Sequence, residues 1–74
     1  MESMYGVYYH ELGAYSKPVC ITDNEDVARA IAHMFLAHLI LAQVGDVHGS
    51  DWNGWNIRLP DGSLRILYID NADL

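Results

Sequence analysis

Four histidines, His10, His33, His38 and His48, are the residues of this chain best suited to hold a metal or move a proton. Their spacing argues against shared chemistry. His33 and His38 are five apart, which on a helix turns them about 140° from each other, so one ion cannot bridge them. No histidine pair has the i, i+4 spacing of a helical zinc site. Asp46, His48 and Asp51 could converge within one loop, with no recognised ligand spacing, and a small metal- or ligand-binding protein using them is one alternative reading. The main expectation is no metal site and no cofactor, with His38 a core histidine bonded to a tyrosine or a backbone carbonyl.

Nucleophiles fare no better. Ser16, Ser50 and Ser63 fall in loops or at strand ends with no visible base and orienting acid. The lone cysteine, Cys20, can form no internal disulfide, and within Val19–Cys20–Ile21 it reads as a small buried hydrophobe. Gly49 and Gly54 flank Trp52 without the spacing or lysine of a phosphate loop. No catalytic residue is expected, and the chain is read as a binding module and not an enzyme.

The elements that position these residues follow from periodicity and turn chemistry. Met4–His10 is aromatic and β-branched and reads as a strand with Tyr5, Val7 and Tyr9 on one face and Tyr8 and His10 on the other. Glu11–Ala14 turns the chain, and Tyr15–Ile21 returns as a second strand, with Pro18 at an edge because it lacks an N–H. Thr22 and Glu25 fit a capping box that opens a helix running to about Val44, with Gly45 as its stop. Asp46–Gly54 reads as a polar loop. Trp55–Leu59 and Leu64–Asp70 form a hairpin about Pro60–Asp61–Gly62–Ser63. The expected fold is α+β, one domain over residues 1–74, with a single helix packed on a four-stranded antiparallel sheet in the order ββαββ.

With Leu59 opposite Leu64, the residues Trp55, Ile57, Leu59, Leu64, Ile66 and Tyr68 share the helix-facing side, and Arg58 stands opposite Arg65 on the other. A three-residue turn with a glycine bulge would reverse this pairing. On the helix, Val27, Ile31, Met34, Phe35, Leu41 and Ala42 gather toward the sheet, with His38 among them. Leu36, Ile40 and Val44 then point away from it. So apolar an outer face, in a chain of 74 residues, suggests contact with another chain.

Charge narrows the partner. Ten acidic residues against four basic ones give a formal charge of −6, which excludes the basic footprint of direct nucleic-acid binding and attraction to an anionic membrane. The longest apolar stretch, Met34–Ala42, is too short to span a bilayer. The N-terminus has no charged and apolar leader pattern, so the expected location is the cytoplasm. Asp23, Glu25 and Asp26 cluster at the helix start, Asp46 and Asp51 in the loop, and Asp70 and Asp73 near the C-terminus. Such clusters suit a basic protein or a nucleoprotein complex. Tyrosine and tryptophan are common interface anchors, and Tyr8 and Trp52 are the chosen ones here.

In length, acidity, single ββαββ-like layer and surface aromatics (Tyr8, Trp52, Tyr68), the chain resembles small phage-encoded inhibitors of the anti-CRISPR type. The resemblance implies binding to a CRISPR effector in the host cytoplasm and blocking of target DNA or nuclease recruitment. An alternative is a self-associating adaptor that forms a homodimer through Leu36, Ile40 and Val44.

Overall fold

The computed structural model describes residues 3–42, 46–50 and 53–72. Its elements are β1 (Tyr5–Glu11), β2 (Cys20–Thr22), α1 (Glu25–Leu41), β3 (Asp46–Ser50), β4 (Gly54–Arg58) and β5 (Leu64–Asn71). The five strands form one sheet in the order β2-β1-β5-β4-β3, with every pairing antiparallel. The expected four-stranded ββαββ arrangement is therefore corrected to ββαβββ. The added strand is β3, drawn from the stretch expected to be a loop. It has no apolar alternation to announce it, and its register with β4 shifts between Val47 and Gly49. One residue more on one strand than on the other is a bulge, which breaks the period that sequence patterns rely on. The second strand is also shorter than the expected Tyr15–Ile21.

Helix α1 begins at Asn24 and not at Thr22. The Asn24 side chain accepts hydrogen bonds from the backbone N–H groups of Asp26 at 2.9 Å and Val27 at 3.2 Å. It thereby satisfies two of the donors that a helix start leaves open. Thr22 instead accepts from the Asn24 N–H at 3.2 Å and ties β2 to the cap. The helix closes at Ala42, whose N–H donates to His38 O. The expected stop at Gly45 lies outside the described residues.

The core lies between α1 and the sheet. Val7, Ala28, Ala32, Leu39, Ile57, Leu67 and Ile69 are buried, and Tyr5, Tyr9, Cys20, Ile31, Phe35, Leu36, Trp55 and Leu59 pack against them. Cys20 is only half-buried. Ala28 and Ala32 are fully inaccessible and one turn apart, so the helix rests on the sheet along small side chains. This rotates α1 from its expected orientation. Val27, Met34 and Leu41 face solvent, at 42%, 71% and 83% exposure. His38 is exposed too, so it is not a core histidine.

The β4–β5 hairpin takes the reversed register. Arg58 pairs with Leu64, Ile57 with Arg65 and Trp55 with Leu67. Gly62, at φ +88°, explains it. Its N–H donates to Leu59 O, while Leu59 N–H donates to Ser63 O, both at 2.9 Å. A left-handed glycine placed after the turn adds one residue to the β5 side. A one-residue slip exchanges the two faces of a strand, so Leu67 and Ile69 enter the core while Ile66 and Tyr68 leave it. Arg58 and Arg65 are no longer opposed: Arg65 lies over the Tyr9 ring, 5.5 Å from its centroid.

Candidate functional site: the open sheet face

One face of the sheet carries α1. No described element lies over the other. Strand alternation and register place Gly6, Tyr8 and His10 of β1 there, next to Asp70, Tyr68 and Ile66 of β5. Gly54, Asn56 and Arg58 of β4 follow, opposite Tyr68, Ile66 and Leu64. At the far edge Asp46 pairs with Arg58, and at the near edge Ile21 pairs with Gly6.

The centre of this face is a fixed aromatic cluster. Tyr8 and Tyr68 stack with centroids 5.1 Å apart and planes 14° from parallel. His10 meets Tyr68 edge-on at 5.4 Å. Glycines make the room. A Cβ at Gly6 would lie 2.8 Å from the Tyr8 ring, and one at Gly54 would lie 2.7 Å from Tyr68 Cβ and clash with Leu67 O. Tyr8 is consequently buried on an uncovered face.

The hydrogen bonds around His10 set the direction of the Tyr68 hydroxyl for a neutral ring. His10 Nδ1 is 2.9 Å from the backbone oxygen of Glu11, and a carbonyl can only accept. Nδ1 therefore carries a proton, and when the ring is neutral its Nε2 accepts from the Tyr68 hydroxyl at 2.9 Å. The Tyr68 oxygen keeps its lone pairs for other donors. Partial burial, followed by the nearby Asp70, Tyr8 and Tyr15, raises the Tyr68 pKa above the usual tyrosine value.

Two clefts flank this cluster. One, of about 340 Å³, is bordered by Asn53, Asn56, Trp55, Ile66, Tyr68 and Asp70. The other, of about 380 Å³, is bordered by Tyr8, Tyr15, Pro18, Ile21, Tyr68 and Asp70. A third and smaller one is bordered by both Glu25 of the helix start and Asp70.

No protein-family model, curated protein or solved structure matches this chain. The functional reading therefore rests on the face itself.

The residues expected to bind a partner are scattered. Tyr8 lies at the centre of the open face. Asp46 is exposed at its far edge. Leu36 is half-buried against the core, which corrects its placement on an outer helix face. Ile40 remains 46% exposed. Val44, Asp51 and Trp52 lie outside the described residues. Asp23, Glu25 and Asp26 are exposed at the helix start, where Glu25 pairs with Arg29 at 3.1 Å. Among the described residues no three of His, Cys, Asp and Glu converge as metal ligands. Sequence reasoning missed His10, Tyr68 and Asp70 as one group. The signal that could have found it is Gly62, since a glycine bulge in the hairpin turns Tyr68 outward beside Tyr8.

Proposed function

We propose that this chain is a protein-interaction module that docks through its open sheet face onto a basic, nucleic-acid-binding effector complex. Docking there blocks DNA binding or nuclease recruitment, the action that the resemblance to anti-CRISPR-type inhibitors implies. The observation that carries the reading is the uncovered face with a rigid Tyr8–Tyr68–His10 centre between two clefts. Aromatic anchors already locked in place lose little freedom on binding, which favours affinity. The charge supports a basic partner. Asp70 and Asp46 lie on the face and Glu25 borders a cleft with Asp70, so acidic groups border the face and would steer a cationic surface toward it.

The test uses purified RNA-guided DNA-binding complexes from bacterial CRISPR systems, with DNA binding followed by mobility shift. The expected result is loss of DNA binding by at least one complex, relieved by salt and by Ile66→Lys on the open face. No inhibition of any complex, or inhibition unchanged by a folded Ile66→Lys variant, would refute the proposal.

A second reading, a homodimer, is favoured by a separate observation. Val27, Met34 and Leu41 stand seven apart on the solvent side of α1, with Ala30 and Ala37 between them. That is the a/d spacing of a helix–helix seam. From Ala30 to Ala42 the sequence contains no Lys, Arg, Asp or Glu. A second copy, antiparallel about a two-fold axis at Met34, would place Val27 against Leu41 and separate the two acidic helix starts. Sedimentation should then show a dimer that Met34→Glu disperses; a monomer at all concentrations would dismiss this reading.

A further inference from the structure

The cleft between β2 and β5 has a composition that the module reading does not by itself explain. Three tyrosines and one carboxylate border it, and no lysine or arginine does. We infer that this cleft binds the guanidinium of an arginine side chain, with Asp70 as its charge partner, the Tyr68 oxygen as a second acceptor and Tyr15 as the face on which the planar cation stacks. The inference rests on the protein-binding reading and names the chemistry that this surface recognises.

Each part has its own support. The Asp70 carboxylate is exposed, and it accepts the Asn71 N–H at 2.8 Å through one oxygen. Its other oxygen can take a charged donor. With His10 neutral, the Tyr68 oxygen is left as an acceptor, because its hydrogen is given to Nε2. These two acceptors differ in position and kind, which suits a donor with several N–H groups in a fixed fork. Tyr15 is 83% exposed, an arrangement that wastes an aromatic face unless something covers it. A cation over a tyrosine face is attracted by the ring quadrupole. Partial burial is the main reason the Tyr68 pKa is raised, and the neighbours Asp70, Tyr8 and Tyr15 add to it by disfavouring further negative charge there. Ammonium also carries positive charge, but it lacks the plane that stacks and the fork that bridges two acceptors.

The experiment is a titration of the full chain with three blocked amino acids, N-acetyl-arginine amide, N-acetyl-lysine amide and N-acetyl-citrulline amide, followed through backbone amide NMR shifts. Citrulline has the shape of arginine without its charge. The expected result is saturable shifts at Tyr15, Tyr68, Asp70 and Asn71 with arginine and none with citrulline. Lysine should bind about tenfold more weakly, and Asp70→Asn should weaken arginine binding by about tenfold. Thermal unfolding of Asp70→Asn should match the parent, which separates loss of binding from loss of fold. Equal shifts with arginine and citrulline, equal affinity for arginine and lysine, or undiminished binding to Asp70→Asn would overturn the inference. The two proposals fail separately. If Asp70→Asn/Tyr15→Ala still inhibits an effector complex, the cleft is not the recognition site but the module reading survives. If arginine binds the cleft and no complex is inhibited, the module reading fails and the cleft stands.

Discussion

Replacing Leu67 with alanine should cost far more stability than replacing its neighbour Ile66. The two are adjacent on β5, are similar in size and face opposite ways. Leu67 is fully inaccessible in the core between α1, β1 and β4, whereas Ile66 is half-buried on the open face. A buried Leu→Ala change removes transfer energy and leaves a cavity, at a cost of about 3–5 kcal/mol. A small domain holds roughly 0.05–0.15 kcal/mol per residue, or about 4–11 kcal/mol over 74 residues. Leu67→Ala therefore removes a large fraction of the total. At roughly 4–8 °C per kcal/mol, its melting temperature should fall by at least about 12 °C. Ile66→Ala exposes no core and should cost about 1 kcal/mol. Urea denaturation of both variants with the parent, at unchanged m-value, measures the difference. If Ile66→Ala costs as much as Leu67→Ala, or more, the reversed hairpin register and the open face built on it are wrong.

Three further outcomes follow from local geometry. Gly62→Ala should destabilise by about 1–2 kcal/mol, because its backbone lies at φ +88° while nothing within 4 Å would touch the new methyl; D-alanine installed there by chemical synthesis should restore stability, and an equal loss with both residues would point to packing instead. Asn24→Ala should cost about 1 kcal/mol, read by chemical denaturation, while Thr22→Ala should cost less; the opposite ranking would return the cap to Thr22. Tyr68 should ionise above the ordinary tyrosine value in a tyrosinate absorbance titration, and Asp70→Asn should move it part of the way back, since burial is the larger cause of the shift. Since the folded state holds that proton more tightly than the unfolded state, Tyr68 contributes stability that is fully present below pH ~10 and declines as pH rises through its folded pKa.

The parts of the fold visible in the sequence are those set by local chemistry. The one long helix, the turn at Glu11–Ala14, the hairpin at Pro60–Ser63 and the opposite facing of Val7 and Tyr8 all follow from short-range preferences. What was not visible depends on comparing two packings of similar local quality. From Ile66 to Ile69 large residues with apolar bodies occupy adjacent positions, so either register buries an apolar set and Arg65 alone argues for the expected one; Gly62 decides against it. Large side chains likewise suggest a helix orientation led by Met34 and Leu41. The fold instead buries Ala28 and Ala32, because two methyl-sized residues one turn apart let the helix approach the sheet closely. Strand β3 is hidden by its bulge. Of the open face, Tyr8 was recognisable as a surface aromatic, but its grouping with His10, Tyr68 and Asp70 exists only once the register is known.

The two glycines beneath the tyrosines have different freedoms to change over descent. A side chain at Gly6 collides with the ring of Tyr8, so a lineage that first shortens residue 8 can later accept a larger residue 6. The order of the two steps is constrained, but the route is open. At Gly54 the collisions are with the backbone of β5 at Leu67 and Tyr68, and no replacement of a neighbouring side chain removes them. Variation should therefore reach position 6 in the company of position 8, while position 54 remains glycine for as long as β4 and β5 stay paired.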